Sequence, residues 1–160
     1  MEHRFPWTRR PQRRWTTILG WIALVYDDDL AAAARHLGHA LALEPTDLFT
    51  LHVAAFLSLG LGRKNAAIEI MEYVSARDPM DATTHDDLGG VYYYTGRLDE
   101  AIASRRAALK LSPDIVDVHY FIGAALLLKG DTEAALTAMQ AEPVEGYRLT
   151  GLALVYHALG

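Results

Sequence analysis

The residues of this chain that could bind a metal ion are histidines at helical spacing. His36 and His39 lie three positions apart, so both fall on one face of a helix. No acidic residue or third histidine that could complete a ligand set is obviously near them. We therefore interpret the pair as ordinary surface histidines and predict no metal site and no cofactor.

Two acidic runs could instead suggest acid–base catalysis. They are Asp27-Asp28-Asp29 and His85-Asp86-Asp87. Both lie at a turn or at a helix start, where carboxylates accept hydrogen bonds from free backbone N–H groups and interact favourably with the helix dipole. The sequence also has no G-x-S-x-G motif, no phosphate-cradling glycine loop and no cysteine. We predict no catalytic residue and a protein that is not an enzyme.

The elements that would position any site repeat along the chain. The pattern A-x3-[LMR]-x2-[AV]-x4-P ends at Pro45, Pro79 and Pro113, which are 34 residues apart. A proline cannot continue a helix, and a period of this length indicates stacked helix pairs. His85 and His119 then occupy equivalent places in neighbouring repeats. Packed helices are roughly 8–10 Å apart, which is too far for one metal coordination shell.

Within each period the pattern predicts two helices. The first carries apolar or small residues at i, i+3, i+4 and i+7, as in Leu51, Ala54, Ala55 and Ser58. Glycines at the left-handed C-cap position are predicted to end these first helices: Gly62, Gly96 and Gly130. Side chains that accept hydrogen bonds from free N–H groups are predicted to start helices: Thr46, Asp81, Asp114 and Asp131.

Composition and charge narrow the function classes. Of 160 residues, 51% are hydrophobic and 22% charged, which excludes a disordered chain. The absence of cysteine excludes a disulfide framework and suits a reducing cytosol, so we predict a cytoplasmic protein. Residues 1–14 hold five arginines and one glutamate, a balance of +4, whereas the rest of the chain holds 10 basic and 19 acidic residues, a balance of −9. The body should therefore repel nucleic acid.

The N-terminal segment of the chain is rich in arginine. The arginines Arg4, Arg9, Arg10, Arg13 and Arg14 precede the apolar run Ile18 to Tyr26. That run is too short for a membrane span, and three aspartates follow it, so we interpret it as the first helix rather than a signal peptide. Because Pro6 and Pro11 interrupt residues 1–14, we predict an extended arm. Contact with nucleic acid through this arm is retained as an alternative, and membrane association is not predicted.

Residues 82–113 resemble the tetratricopeptide repeat (TPR), with its pattern W-x2-L-G-x2-Y…G…A-x3-F…A…P. His85 replaces the tryptophan of that pattern and Arg105 the phenylalanine. The positions that match are Leu88, Gly89, Tyr92, Gly96, Ala101, Ala108 and Pro113. The resemblance implies an all-α, right-handed superhelical solenoid of about four helix pairs plus a terminal helix.

This resemblance divides the chain into a basic arm and a repeat domain. The arm is 1–14 and the repeat domain 15–160, with approximate units 15–46, 47–80, 81–114 and 115–143 and a terminal helix 145–160. The segments WIALVYDDDLAAAARHLGHALALEP and EGYRLTGLALVYHALG are also similar to repeat modules of bacterial winged-helix transcription regulators and adenylate-cyclase-type signalling proteins. The chain would then be a regulatory module or a fragment of a larger regulator.

The TPR resemblance implies that the first helix of each pair lines a concave, partner-binding groove. Residues placed there by register are Arg14, Thr17, Trp21, Phe49, His52, Phe56, Asp86, Tyr93, Tyr120 and Tyr147. Relatives that clamp a terminal carboxylate use Lys, Arg and Asn on these rows, whereas Arg14 is the only cation here. We therefore predict a protein scaffold that binds an aromatic-rich or apolar peptide or helix. Packing between repeats is the alternative role of the aromatic residues.

The C-terminal helix suggests a second function. It is apolar on more than one side, and no partner helix follows it in the sequence. Either the chain is truncated or this end associates with another copy. The self-association residues of the predicted homodimer are Leu152, Val155, Tyr156 and Leu159.

Overall fold

The computed structural model describes residues 9–160, with side chains from residue 14 onward. These residues form nine α-helices and no strand, so the all-α prediction is confirmed for them. The helices are α1 (Arg9–Val25), α2 (Leu30–Leu43), α3 (Leu48–Gly60), α4 (Lys64–Arg77), α5 (Ala82–Thr95), α6 (Leu98–Leu111), α7 (Val118–Leu128), α8 (Thr132–Gln140) and α9 (Glu145–Leu159). They divide into two compact units, the first ending at Val74 and the second beginning at Ser75.

The predicted arm is helical where the structure describes it. Helix α1 begins at Arg9, so the expectation of an extended segment is wrong for residues 9–14. Pro11 lies in the first turn of α1, where backbone N–H groups have no partner within the helix and a proline costs little. The rest of the arm, with Arg4, and the proposed nucleic-acid contact of its arginine side chains before Arg14 lie outside the described residues.

Local signals in the sequence set most helix ends. The carboxylate of Asp81 accepts hydrogen bonds from the N–H groups of Thr83 and Thr84 at 3.1 and 3.2 Å, and Asp131 caps α8 in the same way, as predicted. Thr46 is not the cap of α3. Asp47 takes that place, one residue later. The predicted glycines Gly62, Gly96 and Gly130 all have positive φ, at 73°, 85° and 83°.

The core of the first unit packs α1, α2 and α3 together. The buried residues of this core cluster are Ala23, Ala33, Leu37, Val53 and Leu57. A hydroxyl pair links α1 to α3, with Thr17 Oγ1 2.7 Å from Thr50 Oγ1. Because the Thr50 hydroxyl donates to Asp47, the Thr17 hydroxyl is the donor within the pair. The helix cap of α3 and the contact between α1 and α3 therefore form one network.

The core of the second unit joins α6, α7, α8 and α9. Its buried residues are Ile102, Val118, Ile122, Ala125, Leu126, Ala135, Met139 and Val155. Helices α5 and α6 approach closely at Gly89, where an added Cβ would lie 2.7 Å from Arg105 Cγ and 3.1 Å from the backbone oxygen of Ala101. A glycine is required at this contact because a backbone oxygen cannot move aside as a flexible side chain can.

This contact predicts that Gly89→Ala lowers the free energy of unfolding by about 1–3 kcal/mol, the usual cost of overpacking. Gly90→Ala is the matched control, since a Cβ there meets Arg105 Nη2 at an ordinary 3.5 Å. Alanine favours helix over glycine, so the control should be neutral or slightly stabilised. Urea unfolding of both variants checks this, and equal stabilities would contradict the account of the close contact.

Candidate partner-binding site

The first unit brings three of the predicted groove residues together. Trp21 and Phe56 meet edge to face with ring centroids 6.3 Å apart, and the His52 ring lies 5.3 Å from Phe56. All three side chains are half-buried. They form an aromatic cluster on α1 and α3 that is only partly covered within this unit.

The other groove predictions in the first unit have different outcomes. Arg14 and Phe49 are exposed and line a cavity of about 350 Å³ together with Ile18 and Asp47. Thr17 is wrong as a partner-contacting residue, because it is fully buried in its hydroxyl pair with Thr50.

The second unit carries a continuous line of aromatic rings, which we call the aromatic row: Tyr93, Phe121, Tyr120 and Tyr147. Successive ring centroids lie 6.2, 5.1 and 5.8 Å apart, and the rings come from α5, α7 and α9. The structure thus brings together the three tyrosines predicted from register. Phe121 was missed, although its place next to Tyr120 near the start of the apolar helix α7 was a signal.

A cavity of about 370 Å³ opens at one end of the aromatic row. It is lined by Tyr120, Val144, Gly146, Tyr147 and Thr150. Tyr147 is 39% exposed, so its ring is accessible from solvent. The lining is largely apolar, and a cavity of this volume can accept one large side chain of a bound segment.

A buried arginine lies beneath the aromatic row. Arg105 stands where the TPR pattern has phenylalanine, and it is only 3% exposed. Its Nε donates to Asp86 Oδ1 at 3.0 Å, and its Cζ lies 4.8 Å from the Phe121 ring centroid and 6.0 Å from that of Tyr93. One guanidinium nitrogen, Nη1, is buried and has no hydrogen-bond partner among the described residues. Asp86, a predicted groove residue, therefore connects the surface to the core.

Asp86 and Asp117 interact with the charge of this arginine, and Asp87 interacts with both of these carboxylates; we call Asp86, Asp87 and Asp117 the acidic patch. Burial raises the pKa of Asp86 to about 6; Arg105 opposes that change, whereas Asp117 and Asp87 reinforce it. Burial also raises the pKa of Asp117, against the attraction of Arg105, with Glu142 and Asp87 adding to the rise. The three carboxylates repel one another, which favours their neutral forms.

Helix α7 is capped from outside its own sequence. It begins after Asp117, not at the predicted Asp114, and Asp117 has a left-handed φ of 65° and makes no side-chain cap hydrogen bond. Instead the Oε2 atom of Glu142 accepts the N–H of Tyr120 at 3.3 Å, and Oε1 accepts the N–H of Val144 at 3.2 Å. Glu142 is 1% exposed. Because Glu142 accepts this N–H group in place of Asp117, the Asp117 carboxylate does not cap α7 and belongs to the acidic patch.

The predicted self-association residues of α9 divide into two groups. Val155 is wrong for this role, because it is fully buried in the core of the second unit. Leu152 is half-buried against the same core. Tyr156 and Leu159 are exposed, at 56% and 59%.

Two other features were checked in the part of the chain that the structure describes: a metal site formed by histidines and a helix that could span a membrane. No group of three metal-ligating side chains comes together there. His85 Nε2 lies 3.0 Å from the carbonyl oxygen of Pro79, which is a packing contact. Over the same residues, no helix combines the length and the apolar character that crossing a membrane requires.

Comparison with known proteins identifies the fold. Residues 89–130 match the family model of the TPR repeat. A thermophilic TPR protein of Thermus thermophilus has a TM-score of 0.78 at 24% identity, over 92% of this chain and 83% of that one. MamA of Desulfovibrio magneticus has a TM-score of 0.69 at 24% identity, over 84% and 76%. The Cut9–Hcn1 hetero-tetramer of APC/C has a TM-score of 0.77 at 20% identity, over 90% and 30%.

These likenesses show that the chain has the fold of TPR solenoids, as the sequence predicted. The matched repeat model spans the end of α5, all of α6 and α7 and the turn that follows, which is the region around Arg105. No curated protein matches the sequence.

The buried ion pair predicts an asymmetric response to substitution. Asp86→Leu leaves the Arg105 charge buried without its partner and should lower the free energy of unfolding by about 3–5 kcal/mol. Asp86→Leu combined with Arg105→Met removes both charges and should recover most of that loss. Urea unfolding measures both variants.

The control for this experiment is Arg106→Met, at the exposed neighbour on α6, which should change stability little. A double variant no more stable than Asp86→Leu would contradict the account of an ion pair buried in the core.

Proposed function

We propose that this chain is a non-enzymatic interaction module that binds a peptide or helix of another protein along α5, α7 and α9. The observation that supports the proposal most strongly is the aromatic row with its cavity at Tyr120 and Tyr147. Tyrosines bury large areas at low entropic cost, so they commonly dominate the energy of protein interfaces. The TPR fold, which generally serves as a protein-interaction scaffold, supports the same function.

The bound segment should place an apolar side chain in the cavity. Val144, the Gly146 backbone and the faces of Tyr120 and Tyr147 offer contacts to an aliphatic or aromatic group, and the Thr150 side chain adds one polar group at the edge. Burial of such a side chain contributes about 1.5–3 kcal/mol. The rest of the segment would lie along the aromatic row towards Tyr93.

The aromatic cluster of the first unit is a second proposed contact surface. Trp21, His52 and Phe56 are each half-buried, so a bound segment could cover the remaining ring area. The proposal also includes a cytoplasmic location, which the lack of cysteine supports. A role as the regulatory module of a bacterial signalling or transcription protein rests on the resemblance of the segments 21–45 and 145–160 to the repeat modules of such proteins.

Substitution of the cavity tyrosines tests the proposal. Tyr120→Ala with Tyr147→Ala should remove the captured proteins from a pull-down out of lysate of the source organism, while helicity by circular dichroism stays the same. Tyr156→Ala is the matched control, because Tyr156 is an exposed tyrosine of α9 outside the cavity lining. An unchanged set of captured proteins in the double variant would show that the aromatic row only packs the helices.

Self-association through α9 is a second candidate function. Besides Tyr147 of the aromatic row, helix α9 exposes four large apolar side chains: Leu149 at 58%, Leu154 at 43%, Tyr156 at 56% and Leu159 at 59%. Exposed apolar residues at this density on one helix are typical of an interface. A second copy would cover them if α9 packed against its symmetry mate.

Sedimentation over a range of concentrations tests this candidate. A dimer should form in the wild-type chain, and Leu154→Glu should shift it to monomer because a charge would be buried at the interface. Glu133→Gln, on the exposed side of α8, is a control that should leave the dimer intact. A wild-type chain that stays monomeric at the highest concentration would remove self-association from consideration.

A further inference from the structure

We propose that α1 pairs with α1 of a second copy of this chain, in an antiparallel arrangement around a two-fold axis. The contact surface is a line of exposed apolar side chains, which we call the α1 stripe: Trp15, Leu19, Ile22 and Tyr26. This pairing is independent of partner binding along the aromatic row and of self-association through α9, because the α1 stripe contains none of the residues that either surface uses.

The spacing of the α1 stripe is that of a helix-pairing seam. Its members follow one another at intervals of four, three and four residues, the repeat that keeps one side of a helix against a partner helix. The N–H of Tyr26 donates to the carbonyl oxygen of Ile22 at 2.9 Å, so the helical register continues to Tyr26, one residue past the end of α1. Trp21 lies about 200° from Leu19 around the helix axis, so the aromatic cluster of the first unit stays outside the seam.

The α1 stripe is open to solvent within the first unit. Trp15 is 64% and Tyr26 77% exposed, and Val25 beside them is exposed as well. Helices α2 and α3 pack on the other side of α1, at Thr17 and Ala23. The stripe with Val25 exposes on the order of 500 Å², as much as the largest apolar patches of monomers, and such patches mark interaction sites. Two copies would bury about 1,000 Å² before the flanking charged side chains are added, which approaches the size of a specific interface.

The charges of α1 are opposite to those that its own dipole favours. Acidic residues stabilise a helix N-terminus and basic residues a C-terminus, yet α1 has no acid in its first turn and no basic residue in its last turn. Instead, four arginines lie within residues 9–14, and the exposed Asp27 and Asp28 follow the end of the helix. Asp29, the next residue, caps α2. A second α1 that runs in the opposite direction brings carboxylates to the arginine end and arginines to the carboxylate end.

Antiparallel pairing satisfies the stripe and the charges in a single register. With the two-fold axis midway along the stripe, the inner members Leu19 and Ile22 face each other across it, and the two aromatic ends do the same. The same register sets the exposed Arg14 level with Asp27 of the second copy. Asp47, which lines a cavity with Arg14, is the competing carboxylate within the first unit. A parallel pair would place arginines against arginines and aspartates against aspartates, so electrostatic repulsion disfavours it.

Sedimentation equilibrium of the full chain tests this pairing with two substitutions to glutamate. The wild-type chain should dimerise, and Leu19→Glu should weaken the dimer at least about tenfold, because two carboxylates would be buried near the axis. Leu61→Glu is the matched control, since Leu61 is an exposed leucine at the end of α3 and the added charge is the same. It should leave the dimer intact, and equal weakening by both substitutions would overturn the proposal. Circular dichroism measures the helicity of both variants.

Trp15→Ala with Tyr26→Ala provides the test should Leu19→Glu unfold the chain. Both side chains are largely exposed, so their truncation should preserve the fold and still weaken the dimer at least about tenfold. A wild-type chain without any dimer, or a dimer that this double variant leaves unchanged, would refute the pairing of α1. A dimer that Leu154→Glu dissolves and Leu19→Glu does not would belong to α9, and it would refute the pairing as well.

Single cysteines test the orientation, because the chain has no cysteine of its own. In the antiparallel pair, position 14 of one copy is level with position 27 of the other, whereas like positions are about 20 Å apart along the axis. A mixture of Arg14→Cys and Asp27→Cys chains, one of them carrying a size tag, should be joined by a short bismaleimide crosslinker. Neither variant alone should be. Crosslinking of Arg14→Cys to itself would show a parallel pair and contradict the antiparallel arrangement.

Discussion

The buried ion pair between Arg105 and Asp86 is the interaction on which the surface of the second unit depends. Arg105 is 3% exposed, and a buried arginine is tolerated only when a carboxylate and hydrogen bonds compensate its charge. That requirement accounts for Asp86, whose Oδ1 lies 3.0 Å from Arg105 Nε. It also explains Gly89, since a Cβ there would lie 2.7 Å from Arg105 Cγ.

An arginine in place of the phenylalanine of the TPR pattern links the packing of α5 against α6 to the charge on the surface of this unit. A phenylalanine would fill the space between α5 and α6 without any electrostatic consequence. The arginine instead joins Asp86 to the core and stacks on Phe121, so that core packing, ring positions and surface charge change together. The acidic patch is therefore a property of how the helices pack as well as of the surface sequence.

The sequence predicted those features that depend on local signals. The glycines with positive φ and the caps at Asp81 and Asp131 were predictable because each acts within one turn of its own helix. Helical register also brought Tyr120 and Tyr147 together. Helical register could not predict that Thr17 is buried, because its hydroxyl pairs with that of Thr50, 33 residues away. Likewise, Glu142 caps α7 through the N–H of Tyr120, which lies 22 residues earlier in the chain, and no local sequence pattern predicts that contact.

Nitrogen-15 NMR of the arginine side chains tests the central claim most directly. If Arg105 is buried and paired, its Nε–H signal should exchange slowly with water and its guanidinium should rotate slowly. Arg106, exposed on the same helix, should show fast exchange and free rotation. Asp86→Asn should abolish the slow signal. An Arg105 signal indistinguishable from that of Arg106 would contradict the account.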